Sequence, residues 1–249
     1  MTLLVQRTPR RRAMAPAAPA LVAVSHGTSS AAGQAAVAAL VAAVAAARPQ
    51  LAVSAGFVDV QQPDAPSALE SLGGRPAVVV PLLLSAGFHV HVDLRRQLRG
   101  ADELARALGP DDRLVRVLRH RLDDIGLRRG DRIVLACAGS SDARAVADCH
   151  DTGARLASAL GRPVRVGFIS AARPRLSDAV RSERASARGA RVVVANYLLA
   201  PGHFNDLVHS TDADLVTPPL LVAGREPAEA LVGLVLDRYQ QAVTARSLS

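Results

Sequence analysis

Two copies of one pattern, about 112 residues apart, constrain this 249-residue chain more than any other feature. The first copy reads LVAVSHGTSS (21–30), AGFVDVQQPDAPSAL (55–69) and VVVPLLLSAGFHVHVDL (78–94). The second reads IVLACAGSSDARA (133–145), VGFISAARPRLSDAV (166–180) and VVVANYLLAPGHFNDLV (192–208). Where the first copy has His26 and Asp59, the second has Ala138 and Ser170. The pattern predicts the α/β class: two similar lobes, each a small parallel sheet flanked by helices. The asymmetry assigns the chemistry to the first lobe.

Short apolar runs alternate with longer helical stretches. Strands are expected at 20–25, 51–60 and 77–84, and again at 132–137, 164–169, 191–199 and 214–217. Helices are expected at 31–47, capped by Thr28, Ser29 or Ser30, and at 66–72, closed by Gly73-Gly74. Asp93 reads as the N-cap of a helix over LRRQLRGADELARAL, after a loop SAGFHV (85–90). Residues 114–118 read as a fourth strand or as the start of a helix running to Leu127. In the second lobe, helices are expected at 143–160, 175–187 and 227–244. The charged turn LRRGD (127–131) separates an N-terminal lobe, 19–128, from a degenerate C-terminal lobe, 129–249. Residues 1–18 are expected to be a disordered arm, with Met1 or Met14 as the start.

Hydrophobic residues make up 49% of the chain and aromatic residues 2%, so the cores must be built from Ala, Val and Leu. Every basic residue other than histidine is arginine, and the net charge is +8, which favours anionic partners. Nucleic acid is a weak candidate, because the arginines are scattered and stacking aromatics are scarce. An acidic small molecule fits equally well. Cys137 and Cys149 lack metal-site spacing, and Cys137 reads as a buried thiol in a strand. No disulfide framework is indicated, which suits a cytoplasmic protein. The Ala/Val-rich stretch 35–48 falls short of the roughly 20 residues a bilayer span takes, so no membrane role is expected.

Ligands of parallel α/β sheets bind beyond the carboxyl ends of the strands. His26, Asp59 and His89 each fall at or just past such an end, bringing two imidazoles and a carboxylate to one rim. That set suits divalent iron and related metals, and a neutral imidazole also accepts a proton near pH 7. Each residue has a plainer reading as well. Either histidine would serve as an ordinary solvated loop residue, and Asp59 as a cap on the Gln61-Gln62 loop. His91 reads as non-catalytic, and Asp93 as a helix cap or a partner of a ligand. His120, His150, His203 and His209 share no geometry legible in the sequence, although His203 sits in the second-lobe loop equivalent to that of His89. The HGTSS turn offers backbone N–H groups to an anion, with Gly27 permitting close approach and the Thr28 and Ser29 hydroxyls adding hydrogen bonds.

The segments SHGTSS, GFVDVQQP and PLLLSAGFHVHVD resemble the sirohydrochlorin chelatases of the CbiX type, class II tetrapyrrole chelatases. Pro81, Gly87, His89, Val90 and Asp93 fit that family's third motif position by position. The resemblance covers roughly residues 19–245 and is to the long, two-lobed form, with the active-site cleft between the lobes. It implies insertion of Fe²⁺ or Co²⁺ into sirohydrochlorin, an anionic tetrapyrrole, in siroheme or cobalamin biosynthesis. His26 and His89 carry over as the metal-binding and proton-accepting pair. Asp59 stands where the family has glutamate, one methylene longer, which bears directly on whether it ligates the metal. Gly27, Thr28, Ser29, Gly87 and Phe88 are implied as substrate contacts. The divalent metal is a substrate, no organic cofactor is implied, and a monomer or homodimer would serve. A non-catalytic tetrapyrrole- or metal-binding protein is the alternative.

Overall fold

The computed structural model describes residues 18–85 and 87–246, with residues 88–91 described by their backbone alone. The expected arm lies outside the described residues except for Ala18, whose carbonyl accepts two hydrogen bonds from Arg75 (2.6 and 3.1 Å).

The first half runs β1 (Ala20–Ser25), α1 (Ala31–Ala47), β2 (Val53–Phe57), α2 (Ala65–Glu70), β3 (Ala77–Pro81), α3 (Phe88–Gln97), β4 (Glu103–Leu104) and α4 (Asp112–Asp124). The second repeats it: β5 (Arg132–Cys137), α5 (Ala143–Leu160), β6 (Val164–Phe168), α6 (Leu176–Ser186), β7 (Val192–Tyr197), α7 (His203–His209), β8 (Leu215–Val216) and α8 (Glu229–Arg246). The strands form two parallel four-stranded sheets, ordered β2-β1-β3-β4 and β6-β5-β7-β8. Val24 pairs with Gly56 and Pro81, while Ala136 pairs with Gly167 and Asn196. The duplication is therefore exact in register at both centres.

The central strands are buried along their whole length, which is why β1, β3 and β7 are continuous apolar runs rather than alternating ones. Ser30 caps α1 by accepting from the Gly33 amide (3.3 Å), and its repeat mate Asp142 caps α5 by accepting from the Arg144 amide (2.9 Å).

Two local expectations need correction, and one open alternative is decided in favour of helix. The third helix begins at Phe88, with Gly87 at its N-cap, so Asp93 lies inside it; the exposed Asp93 carboxylate instead sits 3.9 Å from Arg96. That helix also stops before residues 103–104. The Asp102 carboxylate accepts from the Ala77 amide (3.0 Å) and from Arg99 Nε (2.8 Å), which draws the chain beside β3 as an edge strand. Residues 114–118 are helical: Leu114, Val115, Val117, Leu118 and Leu122 make one buried helix face whose β-branched density resembles a strand.

The two halves also exchange their last helices. Helix α4 packs on α5 and β7 of the second sheet, whereas α8 returns to pack on α1, β3 and β4 of the first. One apolar core consequently runs through both halves, from Leu21 and Leu40 to Leu135 and Leu234. Buried Arg238 on α8 fixes the return by donating to the carbonyls of Ala107 (2.9 Å) and Leu108 (2.8 Å) and to the Asp111 carboxylate (3.1 Å).

Candidate active site

A cleft of about 600 Å³ opens at the carboxyl ends of both sheets. Residues following β1 and β3 form one wall, and residues following β5 and β7 form the other. This volume is in the range of small-molecule sites.

His26 stands at the carboxyl end of β1, exposed, on the cleft wall. Its backbone is held from two sides. The Val58 and Asp59 amides donate to the carbonyls of Ser25 (2.9 Å) and His26 (3.0 Å), and the Thr28 amide donates to Gln61 Oε1 (3.0 Å). Gly27 has φ +93°, and a side chain there would collide with the Asp59 carbonyl oxygen. The same turn is built in the second half: Ile169 and Ser170 donate to Cys137 and Ala138 (both 2.9 Å), and Gly139 has φ +91°. One scaffold thus presents an imidazole at residue 26 and a methyl group at residue 138.

Thr28 and Ser29 also line the cleft, as does Gly87. The Thr28 hydroxyl is already engaged, accepting from the Ser30 amide (3.1 Å), and the Thr28 carbonyl accepts from Gln34 Nε2 (2.9 Å). The HGTSS amides of Thr28 and Ser30 therefore serve the turn itself, and the Gly33 amide of α1 donates to the Ser30 hydroxyl, which leaves Ser29 as the exposed hydroxyl on the cleft. Asp59 is exposed and lies off the cleft lining; its Oδ1 accepts from the Val60 amide (2.7 Å), the loop-capping role. The backbones of Phe88 and His89 occupy the first turn of α3; their side chains lie outside the described residues. Among the described residues, no three His, Cys, Asp or Glu side chains gather as a metal site.

The loop that leads to His89 is fastened from the other lobe. Tyr197, at the end of β7, donates its hydroxyl to the Leu84 carbonyl (3.0 Å) and receives Thr152 Oγ1 (3.4 Å). Burial pushes the Tyr197 phenol well above its ordinary range, so it stays protonated and donating. In turn, the second-lobe loop rests on the first-lobe turn. A side chain on Gly33 would strike the Pro201 carbonyl, and one on Gly202 would lie 3.0 Å from Thr28 Oγ1. Both walls of the cleft are thus tied to each other near His26.

Residues 20–125 and 132–224 match the CbiX family model. The chain belongs to the CbiX family. A curated relative, the sirohydrochlorin cobaltochelatase of Sulfurisphaera tokodaii, is 32% identical over 80 residues, covering 29% of this chain and 67% of the relative. The fold is shared with SirB from Bacillus subtilis with Fe³⁺, at a TM-score of 0.72 and 23% identity over 92% of this chain and 97% of that one. It is also shared with the sirohydrochlorin chelatase SirB of Bacillus subtilis subspecies spizizenii in complex with cobalt, at a TM-score of 0.69 and 19% identity over 91% and 95% of the two chains.

Within this CbiX chain, Val60 and Phe204 escaped sequence reasoning, whereas His203 was legible as lying in the loop equivalent to that of His89 but not as a cleft residue. His203 and Phe204 line the second-lobe wall, and Val60 lines the first. Strand pairing puts Gly202 at the position of Gly87, His203 at that of Phe88 and Phe204 at that of His89. The signal was the GFH-to-GHF inversion, visible only once the register was known. The arginines went elsewhere: among the described residues none lines the cleft. Arg132 and Arg165 pair with Glu183 (2.7 and 2.6 Å), and Arg191 pairs with Asp131 (2.6 Å), all holding strands to neighbouring elements. Cys137 is buried at the cleft floor, and burial pushes its thiol well up. Among the described residues, no helix is long and apolar enough to cross a membrane.

Proposed function

We propose that this chain inserts a divalent metal, Fe²⁺ or Co²⁺, into sirohydrochlorin, with the metal as substrate and no organic cofactor. The observation that carries this reading is the placement of His26. A rigid, doubly braced turn holds its imidazole on the wall of an inter-lobe cleft, while the repeated turn offers only Ala138. The relatives' printed names, which include a cobaltochelatase and chelatase structures with iron and with cobalt, support the substrate class. In this reading His26 and His89 receive the metal and accept protons. Two pyrrole N–H protons leave as one M²⁺ enters, so the charge of the macrocyclic core is conserved. An imidazole near its neutral form suits both tasks at pH 7. Asp59 caps its own loop and need not ligate. Gly27, Thr28, Ser29, Gly87 and Phe88 shape the substrate wall. Both lobes belong to one chain, so a monomer holds a whole cleft. Iron would place the product on the siroheme route, and cobalt on the cobalamin route.

The test is an anaerobic absorbance time course with catalytic protein, sirohydrochlorin and either Co²⁺ or Fe²⁺. Multiple turnovers above the uncatalysed rate support the reading, and the two rates rank the metals. A one-to-one spectral change without turnover would instead establish a tetrapyrrole-binding protein.

A further inference from the structure

Three large apolar side chains are conspicuously exposed among the described residues: Val60 (59%), Phe204 (36%) and Leu207 (38%). Two of the three, Val60 and Phe204, line the cleft, one from each lobe. The chain contains only four phenylalanines, so one placed in solvent at a site mouth stands out. Exposed apolar groups scattered singly need no explanation, but groups concentrated on one concave surface mark a binding site.

Val60 carries a second, independent mark. Its φ is +65°, a left-handed conformation that a β-branched residue strongly disfavours. The turn itself imposes this conformation, because the repeat mate Ala171 has φ +54°. The second lobe meets the requirement with a small residue, whereas the first uses one of the worst-suited side chains. Strain of this kind persists at ligand clamps, where the side chain is wanted despite the backbone. The position is also firmly held: the Val60 amide is bound by Asp59 Oδ1, and Gln61 Oε1 is bound by the Thr28 amide.

Phe204 occupies, by strand register, the second-lobe counterpart of His89. One helix start therefore carries an imidazole in the first lobe and a phenyl ring in the second. The degenerate lobe has exchanged a polar position for an apolar face turned to the same cleft.

Resting on the reading of a tetrapyrrole substrate, we propose that Val60 and Phe204 form an apolar clamp that seats the flat macrocycle between the lobes. A tetrapyrrole has apolar faces and a carboxylate-bearing edge. The clamp takes the faces, and the peripheral carboxylates stay toward the mouth, in keeping with the absence of arginine from the described cleft lining. Stacking on an aromatic ring and contact with a branched aliphatic group both suit a broad π-surface. These two are substrate-seating residues, distinct from His26.

The test is a fluorescence titration of metal-free sirohydrochlorin, compared across wild type, Val60→Gly, Phe204→Ser, Phe204→Leu and Ala171→Gly, with Tm measured for each. Loss of one such apolar contact is expected to weaken Kd about tenfold in Val60→Gly and Phe204→Ser. Phe204→Leu should recover part of that loss. Val60→Gly should keep or raise Tm, because it removes the strain together with the side chain. Ala171→Gly makes the same backbone change outside the cleft and should leave Kd unchanged. Wild-type Kd in both Val60→Gly and Phe204→Ser would overturn the clamp while leaving the chelatase reading standing. Failure of the wild-type chain to bind sirohydrochlorin would overturn that reading, and the clamp with it.

Discussion

The Tyr197 hydroxyl donates to the Leu84 carbonyl oxygen at 3.0 Å, joining the end of a second-lobe strand to the first-lobe loop that delivers His89. The second lobe is thereby mechanically coupled to the first-lobe wall of the cleft although it has alanine, not histidine, at residue 138. Removing this hydroxyl leaves a carbonyl without its donor. Tyr197→Phe is expected to lose about 1 kcal/mol of stability. Turnover should fall by more than that loss explains, through a displaced Leu82–Gly87 loop. Urea denaturation and steady-state rates on the same preparation check both effects.

Gly27 and Gly139 are repeat mates with the same left-handed backbone and the same crowding against a carbonyl oxygen, Asp59 in one case and Ser170 in the other. Alanine at either position is expected to cost about 2–3 kcal/mol, combining strain and overpacking. Only Gly27→Ala moves His26. The pair should therefore match in denaturation midpoint and differ sharply in residual activity.

Helix α8 belongs to the second half in sequence but covers α1, β3 and β4 of the first. Truncation at residue 228 would uncover the buried face that Leu231, Leu234 and Val235 now close. Exposing several such side chains at about 1.5–3 kcal/mol each is comparable with the whole margin of a typical domain. The truncated chain is expected to be insoluble or to bind a hydrophobic dye. Supplying the second half, 129–249, in trans should restore solubility to a fragment spanning 18–128.

Acid should attack the α4–α8 junction. Burial alone would raise the Asp111 pKa. Hydrogen bonds from the Arg113 guanidinium and amide, with the charges of Arg113 and Arg238, outweigh it and pull the value from 3.8 to about 2. A carboxylate depressed in the folded state stabilises fully above its unfolded pKa and loses that contribution as pH falls through the folded value. Stability from this site should be complete above about pH 4 and decline toward pH 2. In Asp111→Asn the corresponding portion of the acid transition should be absent, which chemical denaturation at a series of pH values would show.

The elements that read clearly in the sequence are those whose signal is local. The buried run ALVAVS, the hydroxyl caps ahead of α1 and the Arg48-Pro49 stop gave β1 and α1 their observed bounds. β4 did not read clearly, because Asp102 creates it by bonding to Ala77, 25 residues away in sequence. The exchange of α4 and α8 was equally hidden, since an amphipathic helix does not encode which sheet it will cover. At the site, His26 was legible from its place at a strand end. Val60, Tyr197 and Phe204 were not: their roles arise from an exposed strained turn, a bond across lobes and a side-chain inversion that shows only when the two sheets are aligned by register.

The most direct test of the account is the turnover rate of His26→Ala with sirohydrochlorin and Co²⁺, measured anaerobically on protein whose Tm matches wild type. His26 is exposed on a turn braced by backbone bonds, so the substitution should leave the fold intact. The account predicts a loss of at least about 100-fold, the scale of a positioned acid–base group. A rate within twofold of wild type would contradict it.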